Sequence, residues 1–157
     1  ETRRINPAVI GAIAPYVRED AGLIGHSNGC AIAFQIAQRM PVRGLVLLNG
    51  ALRTDIALPS WVKFCHVYFN AGDDITQFAQ VQANLPVPPV DPLWGKMGDT
   101  GYTGSDPRVR NFDCASINGM PRCWGHSDIG TPEKIKAWGP FIRDELVAAI
   151  AAVAVGP

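Results

Sequence analysis

Ala21-Gly22-Leu23-Ile24-Gly25-His26-Ser27-Asn28-Gly29-Cys30 is the stretch from which the fold is read. Ala21 to Gly25 is a short apolar run bounded by glycines, the pattern of a strand buried on both faces. It runs straight into Gly25-His26-Ser27-Asn28-Gly29, and from Asn28 to Met40 the sequence favours helix until Pro41 stops it. A serine between two glycines at a strand-to-helix junction fits G-x-S-x-G. The flanking glycines allow a sharp turn that holds Ser27 at its apex with the hydroxyl exposed. With 16 glycines in 157 residues, three fixed positions match by chance in roughly one case in ten to twenty. The strand before and the helix after are what give the match a mechanical meaning.

On the N-terminal side, Asn6 before Pro7 is a helix cap, and Ile5, Val9, Ile10, Ile13 and Val17 recur near helical spacing, predicting a helix from Pro7 to Val17. On the C-terminal side, Val42 to Asn49 and the β-branched, aromatic stretch from Trp61 to Asn70 read as the second and third strands. Ala71-Gly72-Asp73-Asp74 turns the chain into a helix over Ile75 to Leu85. Residues 86–107 read as a long irregular loop of the kind that serves as a lid or pocket wall. Arg108 to Cys114 reads as a fourth strand, Gly125-His126-Ser127-Asp128 as a second loop, and Thr131-Pro132-Glu133 opens a last helix kinked at Gly139-Pro140. Buried strands separated by helices, without hairpin turn signals, predict an α/β fold: a mostly parallel sheet flanked by helices on both faces, in one domain over residues 1–157.

Composition narrows the function classes. Lys and Arg total 14 and Asp and Glu total 14, so no basic field draws in nucleic acid. No apolar stretch reaches the roughly 20 residues of a membrane span; the longest, Leu146 to Val155, is Ala-rich and reads as the end of a packed helix. Cys30, Cys65, Cys114 and Cys123 form no C-x-x-C pair and read as reduced thiols, with Cys30 packed in the first turn of its helix. The histidines are scattered, so neither a metal site nor another cofactor is expected. The first residues show no apolar run of signal-peptide type, which leaves localisation open.

A serine hydroxyl attacks only when a base takes its proton. Of the three histidines, His26 adjoins Ser27 on the wrong side of the turn and His66 lies within a strand. His126 sits in a loop after the last strand, from which a base reaches over the sheet's edge. The base needs an orienting carboxylate, and the turn after the third strand offers Asp73 and Asp74, either of which also suits a helix start. Asp113 and Asp128 are weaker choices. The order serine, acid, histidine separates this arrangement from the chymotrypsin and subtilisin orders.

Taken together, Gly25-His26-Ser27-Asn28-Gly29, the Gly72-Asp73-Asp74 turn and the Gly125-His126-Ser127-Asp128 loop resemble an α/β-hydrolase. Trp94-Gly95-Lys96-Met97-Gly98 and Gly101 to Arg108 are further similar to hydrolase-like proteins encoded by bacteriophages. The resemblance implies a serine esterase, lipase or related acyl hydrolase acting on an ester or lipid-like molecule, in a phage setting a cell-envelope ester. The Asn28 amide would serve the oxyanion hole, and Trp94, Met97 and Tyr102 would line a substrate pocket. The phage-type proteins favour Asp73 as the acid, the wider family Asp74. Only 26 residues precede Ser27, so the strands and oxyanion loop that the family carries upstream are expected on a longer product, on another chain, or not at all. The alternative function is a hydrolase-fold binding or structural module, such as a virion component, completed by another segment or chain. An acyltransferase or thioesterase would share the same nucleophile.

Overall fold

The computed structural model describes residues 7–76 and 93–155. In chain order these form α1 (Pro7–Ile13), a 3-10 turn (Ala14–Tyr16), β1 (Gly22–His26), α2 (Asn28–Arg39), β2 (Gly44–Leu48), β3 (Phe64–Phe69), α3 (Met97–Thr100), β4 (Val109–Asp113), a second 3-10 turn (Asp128–Gly130) and α4 (Pro132–Val155). The four strands form one sheet in the order β1-β2-β3-β4. Every neighbouring pair is parallel, with Gly22 opposite Gly44, Gly44 opposite Phe64 and Cys65 opposite Val109.

Alternating side chains of these strands supply two cores. Leu45, Leu47, Cys65 and Val67 pack with Ile10 of α1 and with Cys30, Phe34 and Ile36 of α2. On the other face Val46, Tyr68 and Phe112 pack with Trp138 of α4, and Phe141, Ile142 and Leu146 close around them. Tyr68 stacks on Phe112 with ring centres 4.6 Å apart and meets Trp138 edge-on at 6.1 Å. Helices therefore cover both faces of an all-parallel sheet. At the β1 edge no further strand pairs among the described residues, and Ile24 is 61% exposed.

Three expectations change. The helix predicted to Val17 stops as an α-helix at Ile13, because Pro15 lacks an N–H and its ring opposes continuation. The third strand starts at Phe64 rather than Trp61, since the backbone before it is engaged in a turn in which the Val62 N–H donates to the Pro59 carbonyl. Within the loop expected over 86–107, residues 93–107 include the helical turn α3, held by Met97 N–H to Leu52 O and Gly98 N–H to Gly50 O. The last helix runs from Pro132 to Val155 with Pro140 inside it, as expected of a helix that spans Gly139-Pro140. The helix predicted over Ile75 to Leu85 lies, beyond Thr76, outside the described residues, as do residues 86–92 of the loop.

The two motif glycines are not equivalent. A Cβ on Gly25 would lie 2.6 Å from the Gly29 carbonyl oxygen and 2.7 Å from Cys30 Cα, whereas one on Gly29 would meet nothing within 4 Å. Gly25 is what lets α2 close onto β1. Gly25→Ala is therefore expected to lower unfolding stability by about 1–3 kcal/mol through overpacking. Gly29→Ala is expected to be neutral or to stabilise by up to about 1 kcal/mol through helix propensity. Urea denaturation of the two variants checks this, and equal losses would contradict it.

Candidate active site

Ser27 follows the last residue of β1 and precedes α2, with φ 56° and ψ −124°. For a residue with a Cβ this is a strained left-handed turn. It is held by Ser27 N–H donating to Leu48 O at 3.0 Å, and by the Ser27 carbonyl accepting from Cys30 N–H and Ala51 N–H. A serine before a helix usually caps it through the hydroxyl, yet the Ser27 side chain makes no capping bond. Its Oγ lies 2.6 Å from His126 Nε2 instead.

His126 Nδ1 lies 2.8 Å from Asp73 Oδ2. A carboxylate only accepts, so Nδ1 carries the proton, and Nε2 of the neutral ring is left as the acceptor for the Ser27 hydroxyl. Asp73 is wholly buried, and its other oxygen accepts the Thr76 N–H at 3.1 Å. The His126 side chain is 10% exposed. Thus three residues that are far apart in the chain form one hydrogen-bonded line from a buried carboxylate to a strained serine.

The remaining candidates lie elsewhere. Asp74 is exposed. Asp113 accepts the Ala115 N–H in a turn, and Asp128 accepts the Trp124 N–H. His66 is 1% exposed, between the Phe64 and Phe112 rings on the α4 side. Burial, with a smaller contribution from Arg110, lowers its pKa and keeps it neutral.

His26 contacts the His126 backbone carbonyl through Nε2 at 3.0 Å. Cys30 Sγ lies 3.2 Å from the Gly25 carbonyl. Burial raises the pKa of this thiol, so it is an uncharged packing group behind the turn.

The Asn28 N–H belongs to the first residue of α2 and has no acceptor within the helix, as for any helix start. It sits next to Ser27 and is available to a negative oxygen formed there.

The three residues expected to line a pocket do not line a common one among the described residues. Met97 is wholly buried in the larger core, because α3 folds back onto the end of β3, and it presents no surface to a ligand. Tyr102 lines an open cleft of about 600 Å³ with Asp55, Leu58, Asp106 and Arg108, and its hydroxyl accepts the Asp106 N–H. Trp94 is half-buried, with an indole N–H that has no partner among the described residues.

Two site residues escape the sequence reading. Asn49 is wholly buried and donates from Nδ2 to the His126 carbonyl at 2.7 Å. Thr76 supplies the N–H that holds Asp73. A polar Asn directly after the apolar run Gly44-Leu-Val-Leu-Leu48 was the available signal for Asn49. For Thr76, whose backbone acts, side-chain chemistry offered none.

The Asp73 contact predicts a strongly hydrogen-bonded imidazole N–H. In proton NMR of the folded chain, the His126 Nδ1–H is expected as a downfield, exchange-protected signal. It should vanish in Asp73→Ala and persist in Asp74→Ala. Persistence in Asp73→Ala would contradict the pairing.

No protein-family model matches the chain, and no curated protein or solved structure matches it significantly.

Proposed function

We propose that the chain is a serine-dependent acyl hydrolase of the α/β-hydrolase type, acting on carboxylic esters. The observation that carries this reading is the line of contacts from Ser27 Oγ to His126 Nε2 at 2.6 Å and from His126 Nδ1 to Asp73 Oδ2 at 2.8 Å. The strand sequence supports it too: the serine follows β1, the acid follows β3 and the histidine follows β4.

Each group has one task. Ser27 Oγ adds to the ester carbonyl carbon while His126 Nε2 takes its proton. Asp73 keeps the ring in the Nδ1–H tautomer and stabilises the imidazolium that forms. The Asn28 N–H donates to the developing oxyanion. As the C–O bond breaks, His126 returns the proton to the leaving alkoxide, which departs as alcohol and leaves an acyl-serine. Water then adds with His126 again as base, which releases the acid and restores Ser27. A thioester substrate or an alcohol acceptor would use the same groups.

One observation favours the second reading, a binding module completed by another segment or chain: the outer edge of β1, where Ile24 is exposed and no strand pairs among the described residues.

Labelling with a fluorophosphonate probe, alongside a short-chain nitrophenyl ester assay, tests the proposal. Wild type is expected to label at Ser27 and to turn over the ester. Ser27→Ala should abolish labelling, and His126→Ala and Asp73→Asn should each reduce turnover by about 10³–10⁴. A folded wild-type chain that neither labels nor turns over ester would refute the hydrolase reading and leave the binding module.

A further inference from the structure

We propose that His26 and Asn49 are positioning residues that clamp the backbone carbonyl of His126 and so set the imidazole against Ser27. This inference rests on the reading of Ser27, His126 and Asp73 as a catalytic triad.

His126 stands in a stretch between β4 and α4 that has no strand of its own, only a 3-10 turn starting at Asp128. Its ring would swing with the backbone unless that backbone were tied to the sheet. The tie is double. The His126 carbonyl oxygen accepts from Asn49 Nδ2 at 2.7 Å and lies 3.0 Å from His26 Nε2. A carbonyl only accepts, so His26 carries its proton on Nε2, and that N–H serves as a tether.

The two donors are chain neighbours of the nucleophile and of the residue that holds it. His26 is the last residue of β1 and directly precedes Ser27, and Asn49 directly follows Leu48, whose carbonyl accepts the Ser27 N–H at 3.0 Å. Serine and histidine are thereby referenced to the same two strand ends.

The anchorage is stiff. Asn49 is wholly buried with φ 45°, and α3 packs so close that a Cβ on Gly98 would lie 2.6 Å from the Asn49 carbonyl carbon. Asn49 also keeps a buried Oδ1 with no hydrogen-bond partner among the described residues. An apolar side chain would avoid that orphan oxygen, so the amide's N–H is the feature that distinguishes Asn49 from simple filling. The His26 and His126 rings lie 5.2 Å apart, tilted by 40°, so the clamp fixes the ring from the backbone side while Asp73 fixes it from Nδ1.

The test compares wild type with His26→Leu, His26→Gln and Asn49→Asp. It uses the rate of fluorophosphonate labelling and histidine-ring carbon and nitrogen NMR, with thermal melts to establish folding. His26→Leu and Asn49→Asp are expected to slow labelling by about 10- to 100-fold, the scale of a small misplacement of a reacting group, and to broaden or shift the His126 ring signals. His26→Gln, whose side-chain N–H reaches the same carbonyl, should recover most of the rate and the signals.

Labelling at the wild-type rate with unmoved ring signals in His26→Leu and Asn49→Asp overturns the clamp. So does a His26→Gln variant as impaired as His26→Leu, because ring packing and not the donated bond would then be what counts. If wild type itself is not labelled, the hydrolase reading fails and the clamp is judged on the ring signals alone. Movement in His26→Leu with recovery in His26→Gln sustains it, and no movement overturns it. If His26→Leu does not fold, Asn49→Asp carries the comparison. If neither folds, the contact is a requirement of folding and the positioning role falls.

Discussion

The common direction of the four strands is the constraint on which the candidate site depends. Because β1, β2, β3 and β4 pair parallel and in chain order, their carboxyl ends share one edge of the sheet, and each segment leaving a strand starts there. Ser27 follows β1, Asn49 follows β2, Asp73 follows β3 and His126 comes from the segment after β4. One antiparallel strand would send its successor to the opposite edge. The contacts from Ser27 to His126 and from His126 to Asp73, which join residues far apart in the chain, therefore follow from strand direction before any side-chain detail.

That edge is also where the chain departs from comfortable geometry. Among the described residues, two of the three with a Cβ and a positive φ, Ser27 and Asn49, lie directly beyond neighbouring strands. Asp73 is wholly buried, with a histidine and a backbone N–H as its recorded partners. Local strain and a buried carboxylate persist only when their surroundings hold them. Here the hold comes from the parallel ladder, the close approach of α2 at Gly25, and α3 packed against Asn49. The sheet face under α4 is an aromatic core of Tyr68, Phe112, Trp138 and Phe141, and it reaches the site's edge through the Tyr68 carbonyl, which accepts the Asn49 N–H.

Much of this was legible from local signals. Apolar runs marked the first two strands and a β-branched, aromatic stretch the third, each to within a few residues, and the helix from Asn28 was marked by composition and by Pro41. Where reading failed, a tertiary contact or a backbone group prevailed. Trp61 left the third strand because the backbone there closes a turn, Val62 N–H to Pro59 O, and Met97 left the pocket because α3 folds into the core. The error at the first helix was different in kind: Pro15 was itself a stop signal.

By itself, the sequence determined the α/β pattern, the strand-to-helix setting of Ser27 and the short set of acids and histidines able to serve it, because these depend on residue type and near-neighbour spacing. Only the tertiary structure separated Asp73 from Asp74. Adjacent residues leave a turn in different directions, and one carboxylate is buried on His126 while the other meets solvent. It also decided that His26 meets a carbonyl and that Asn49 belongs to the site. Both are set by how the segment after β4 docks on the ends of β1 and β2, a contact spanning about a hundred residues for His26 and 77 for Asn49 that no local pattern encodes.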